Sequence, residues 1–125
     1  MLLLSSKKFL FLKKMYGQKT IKVVLLGATC VGKTCIISQF VSHQFDLHQV
    51  TSLSAQYVSK TIEFPDLGLS IKFDIWDTAG REKYISVSKC FYTDAEVIIL
   101  VYDITSINSL DEIKLYWYKY VKKFK

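Results

Sequence analysis

The sequence predicts an α/β fold: a three-layer sandwich built around a mostly parallel sheet. Three observations carry this. Two short β-branched, apolar runs, residues 21–26 and 97–102, read as buried strands, and each leads into a segment with helical spacing. Between them, residues 53–64 and 69–76 read as a hairpin about the turn Pro65-Asp-Leu-Gly68. Strands that alternate with helices fold as a parallel sheet covered on both faces.

The elements follow in order. Residues 21–26 (IKVVLL) form the first strand, and a glycine loop follows. A helix is expected over residues 33–42, where Ile36, Ile37, Phe40 and Val41 recur at helical spacing. Residues 43–52 are polar and irregular, and the hairpin comes next. Residues 81–92 are expected as loop and helix. The run VIILVY (97–102) reads as a fully buried strand, and Ser106 or Asn108 can cap a last helix that reaches Phe124.

A chain of 125 residues, half of them apolar, is one domain at most and is able to bury a core. Its net charge of +6 is concentrated at the ends: Lys7, Lys8, Lys13 and Lys14 near the start, and Lys122, Lys123 and Lys125 at the other end. The segment between is close to neutral, so these are solvated tails and no nucleic-acid face is expected. Cys30, Cys35 and Cys90 have no metal-binding spacing and read as reduced thiols of a cytoplasmic protein. No apolar run reaches the length of a membrane span. Residues 1–18 are expected to lie outside the domain, which occupies residues 19–125. Their apolar stretches are broken by lysines and do not follow a signal-peptide order. Met15 is an alternative start; the leader reads as extraneous or disordered, as a weak membrane-surface helix, or as an ordered element.

Residues 27–34, GATCVGKT, match G-x-x-x-x-G-K-T between a strand and a helix. Glycines let such a loop curl, so that successive N–H groups point inward at phosphate oxygens, and the helix start adds a partial positive charge. The candidate phosphate-binding residues are Gly27, Ala28, Thr29, Cys30, Val31, Gly32, Lys33, Thr34 and Cys35. Lys33 can reach the terminal phosphates, and the Thr34 hydroxyl suits Mg²⁺, which prefers oxygen ligands. A second metal-side group belongs at the end of a neighbouring strand. Asp77 is there, after FDIW (73–76).

With these pieces placed, the sequence resembles the Ras superfamily of small GTPases, and within it the Rab family. GATCVGKT, WDTAGREKY (76–84) and VYDIT (101–105) carry the resemblance, which runs from about residue 19 to 125. It implies a P-loop NTPase fold, GTP/GDP and Mg²⁺ as ligands, a role as a GTP-dependent switch in vesicle trafficking, and effectors, an exchange factor and a GTPase-activating protein as partners. It also implies roles for single residues. Phe45 stands where the family packs an aromatic on guanine. Ser52 stands where a threonine senses the γ-phosphate through Mg²⁺; Thr51 could replace it by a one-residue slip, and Ser54 replaces an expected glycine. Gly80 matches the glycine whose N–H meets the γ-phosphate. Tyr57, Trp76 and Phe91 fall where Rab proteins carry an aromatic triad that contacts effectors, although core packing alone would also account for them.

Arg81 departs from the pattern. Most of the family carries Gln there, and its amide orients the attacking water by both donating and accepting. A guanidinium only donates. Lys33 and Arg81 are the candidate catalytic residues, and slow hydrolysis with retained phosphate binding is expected. The alternatives are a nucleotide-holding interaction module and a non-functional fragment.

The family's Asn-Lys-x-Asp motif for guanine, its Ser-Ala-Lys type loop and a C-terminal cysteine for prenylation do not occur in these 125 residues. Guanine selectivity and membrane anchoring are therefore expected from outside them, and endomembrane association only from a longer, prenylated form. The C-terminal strands of the fold are expected to be missing, which leaves residues 97–102 at a sheet edge. That edge is uncharged and invites pairing, so a marginal or aggregating chain with weak nucleotide affinity is expected.

Overall fold

The computed structural model describes residues 18–46, 48, 52, 54–79 and 93–122. Four strands form one sheet in the order β2-β3-β1-β4. They are β1 (Gln18–Leu26), β2 (Gln56–Phe64), β3 (Leu69–Asp77) and β4 (Val97–Leu100). β1 pairs in parallel with both β3 and β4, while β2 runs antiparallel to β3. Helix α1 (Lys33–Ser42) follows the glycine loop. Helix α2 (Ile107–Glu112) passes through a π turn (Ile113–Trp117) into α3 (Tyr118–Lys122).

Alternation along β1 divides the core into two layers. Val23 and Leu25 face α1 and join Ile37, Ile75 and Val101 in one buried cluster. Val24 and Leu26 face the other way and pack with Trp117, and all three are fully buried. Helices therefore lie on both faces of the sheet, as the three-layer reading requires. Burying side chains of this size is worth ~1.5–3 kcal/mol each.

Local chemistry sets the boundaries. Gly32 at φ +94° starts α1, and His43 in the left-handed region ends it, its N–H donating to the Gln39 carbonyl. The Lys60 ammonium reaches across from β2 to the carbonyls of Phe40 and Val41, where the negative end of α1 favours a cation. The hairpin turn is one 3₁₀ turn, Pro65–Leu67, closed by Gly68 at φ +56°.

Three expectations need correction. β2 starts at Gln56, with Ser54 and Ala55 outside the strand. β4 ends at Leu100; Val101 leaves it, although its N–H still donates to the Leu26 carbonyl at 2.8 Å. Nor is β4 fully buried: Val97 and Ile99 are each 41% exposed. The reason is position. β4 lies at the end of the strand order, and the side chains on its α1 side extend past the helix that covers β1 and β3. The expected segment 81–92 lies outside the described residues, as do residues 123–125.

Candidate functional site

The site forms where β1, β3 and α1 meet. β1 delivers the chain into the loop, and its pairing sets Leu25 beside Asp77. Thr78, just past the end of β3, is buried and donates its hydroxyl hydrogen to the Leu25 carbonyl at 2.8 Å. Together these fix the Asp77 carboxylate next to the first turn of α1.

The loop's shape depends on its glycines. Gly27 sits at φ +151°, and a Cβ there would lie 2.1 Å from the Val101 carbonyl oxygen. No side chain fits without moving that backbone. Gly32, at φ +94°, has open space around its Cα, so there the constraint is conformational alone. Cys30 is exposed and holds φ +64°, an unusual left-handed geometry for a residue with a Cβ. Val31 packs against the core cluster under α1 and anchors the loop.

Lys33 is buried and bends back over the loop, its ammonium 3.0 Å from the Gly27 carbonyl and 2.8 Å from that of Ala28. The charge is thus held at the centre of the curl. The adjacent Thr34 hydroxyl lies 2.6 Å from Asp77 Oδ2 and 2.8 Å from Ser52 Oγ. Three oxygens from three separate segments converge within hydrogen-bonding distance.

That donor set fits a hard divalent cation. Hydroxyl and carboxylate oxygens suit Mg²⁺, which keeps several waters and shares phosphate oxygens rather than entering an all-protein cage. Among the described residues, no three His, Cys, Asp or Glu side chains cluster.

The remaining candidates fall differently. Ser52 is in contact with Thr34; Thr51 lies outside the described residues. Gly80, Arg81 and Phe91 also lie outside them. Phe45 stands 63% exposed in the stretch after α1. Tyr57 and Trp76, paired across β2 and β3, stack at 5.3 Å with their rings tilted by 56°. Trp76 packs on the second core cluster while Tyr57 is half exposed, so the pair joins core to surface. The Tyr57 hydroxyl donates to Asp74 at 2.7 Å, and Lys72 bridges the same carboxylate oxygen at 3.0 Å. Sequence reasoning missed Thr78 and the Val101 carbonyl. A threonine after a strand-end aspartate signals nothing by composition, and the Gly27–Val101 approach is a tertiary fact.

Among the described residues no helix is long and apolar enough to cross a membrane.

Comparison with known proteins gives the family. A family model described as Ras family matches residues 22–125. GTP-binding protein ypt5 of Schizosaccharomyces pombe is 39% identical over 102 residues, covering 82% of this chain and 47% of that protein. Ras-related protein Rab-21 from Bos taurus and from Homo sapiens is 36% identical over 104 residues, covering 83% of this chain and 46% and 45% of those proteins. The chain spans about half the length of the curated relatives it matches.

Proposed function

This chain belongs to the Ras family and is similar to its Rab members; on that premise we propose that it is a Rab-like small GTPase, a GTP/GDP-dependent switch in vesicle trafficking. Family members generally bind GTP or GDP with Mg²⁺. In this reading the main-chain amides of residues 27–35 surround the phosphates, and Lys33 turns its ammonium from the loop carbonyls to phosphate oxygens. Thr34, Ser52 and Asp77 hold the cation, and Gly80 and Phe45 complete the nucleotide contacts. Mg²⁺, when bound, neutralises phosphate charge that the protein alone would leave uncompensated. The observation that carries the proposal is the convergence of the Thr34, Ser52 and Asp77 oxygens beside the Lys33 ammonium.

Ser52 belongs to the segment between α1 and β2, so a cation shared by Thr34 and Ser52 couples that segment to the bound nucleotide. Effectors then read the Tyr57–Trp76 pair and, with it, Phe91. An exchange factor and a GTPase-activating protein act on the same surface. The protein works in the cytoplasm and, when prenylated, on endomembranes.

Hydrolysis by this chain is slow, because Arg81 stands where an amide would orient water. That departure favours a second reading, a nucleotide-holding interaction module with negligible turnover. Multiple-turnover phosphate release separates the two.

Calorimetry of a folded preparation extended to full domain length, with GTP and with GDP and in the presence and absence of Mg²⁺, tests the proposal. Heat that depends on Mg²⁺, with an affinity about 10–100-fold lower for Lys33→Met, the range of one charge-assisted hydrogen bond, is the expected result. Absence of heat with either nucleotide ends the reading.

A further inference from the structure

Three sets of contacts connect the glycine loop to the helical segment after β4. At the loop, the Val101 carbonyl is set against Gly27, where a Cβ would lie 2.1 Å from its oxygen. The Val101 N–H donates to the Leu26 carbonyl at 2.8 Å. Two residues on, Asp103 is held by Ser109 of α2. The Ser109 hydroxyl accepts from the Asp103 N–H at 3.0 Å. Its own hydrogen faces the carbonyls of Ser106 at 2.7 Å and of Asp103 at 3.1 Å. Further along the same helical segment, Trp117 is fully buried with Val24 and Leu26, and Leu26 adjoins Gly27.

We propose that Ser109 is a positioning residue for the glycine loop: acting through Asp103 and Val101, it fixes where Gly27 lies and so the curl of the amides that follow. This rests on the reading of residues 27–35 as a phosphate loop.

Burial and bonding both favour that role. Serine is mostly an exposed residue, yet Ser109 is buried. Its hydroxyl reaches out of the helix to both backbone groups of Asp103, where a buried polar group finds its partners. The turn it grips is closed by further bonds. Asp103 Oδ1 accepts from the Thr105 N–H at 2.8 Å and from the Thr105 hydroxyl at 2.7 Å, and the Ser106 N–H donates to the Asp103 carbonyl at 3.0 Å. Residues 103–106 therefore move as a unit, with Tyr102 alone between that unit and Val101. Trp117 holds the base of the helical segment against β1. A shift at Asp103 passes to the loop because the approach of Val101 to Gly27 is already too close for a Cβ.

The test uses the preparation of full domain length. Ser109→Ala is expected to speed release of a fluorescent GDP analogue about 3–10-fold, the range of one hydrogen bond. Ile71→Val is the control. It trims a buried side chain of β3 opposite Lys19, at the other end of β1 from the loop, and is expected to cost stability while leaving release unchanged. Unchanged release from Ser109→Ala, or an equal rise with Ile71→Val, overturns the proposal. Amide exchange of the nucleotide-free domain reads the loop without any ligand. Ser109→Ala is expected to raise exchange over residues 27–33 more than over β3, and unchanged exchange in the loop overturns the proposal. If the unaltered domain retains no labelled GDP, the nucleotide reading fails, and exchange alone decides whether Ser109 shapes the loop.

Discussion

The Thr34 hydroxyl donates to the Asp77 carboxylate at 2.6 Å, joining residues that lie 43 positions apart in the chain. One is in the first turn of α1 and the other ends β3, so the bond ties the glycine loop to the sheet at the point where a cation would sit. Replacing Thr34 by Val keeps the shape and removes the donor. Thr34→Val is expected to lower stability by about 1.5–3 kcal/mol, the worth of a hydrogen bond to a charged group. It should also remove the rise in melting temperature that Mg²⁺ adds to GDP. Thermal melts with and without the metal check both.

The two loop glycines should respond differently to one methyl group. Gly27→Ala meets the Val101 carbonyl at 2.1 Å and forces the chain just past β4 to move. Gly32→Ala meets open space and bears only a left-handed backbone, a strain of about 1–3 kcal/mol. Urea titration is expected to show Gly27→Ala as the more damaging change. Equal losses would mean that β4 yields freely.

Arg81 is the residue whose replacement should accelerate the chain. Arg81→Gln restores an amide able to orient water and is expected to raise single-turnover hydrolysis by about a hundredfold, with little change in nucleotide affinity. Equal rates would place the limit elsewhere.

Stability at low pH should involve Tyr57. Burial alone pushes the Asp74 carboxyl up, but the Tyr57 hydroxyl and the Lys72 ammonium outweigh it and leave the group below the ordinary carboxylate range. A carboxyl depressed in the folded state stabilises above its unfolded pKa of about 3.9, and that contribution is lost as the pH falls through the folded value. The stability gap between the wild type and Tyr57→Phe should therefore be present at neutral pH and narrow below about pH 4. Denaturant melts across that range measure it, and a gap that holds constant would detach Tyr57 from the titration of Asp74.

Much of the site was legible in the residues. The glycine loop and the bounds of α1 came from local signals: a strand, two glycines with a lysine and a threonine, then helical spacing. The hairpin was legible for the same reason, since Pro65 and Gly68 punctuate it. The contact of Ser52 with Thr34 was not, because a hydroxyl's partner depends on where α1 and β3 bring Thr34 and Asp77. The exposure of β4 was legible only through the family resemblance, which left residues 97–102 at a sheet edge; the apolar, β-branched run by itself looks alike in the middle of a sheet and at its end. The π turn at residues 113–117 has no sequence signal that we recognise.

β1 belongs to both cores: Val23 and Leu25 pack under α1, while Val24 and Leu26 pack under Trp117. Neither half of the interior can melt while the other stays intact, since each would take the shared strand with it. Fluorescence from Trp117 on one side and amide exchange at Ile37 on the other should report a single transition.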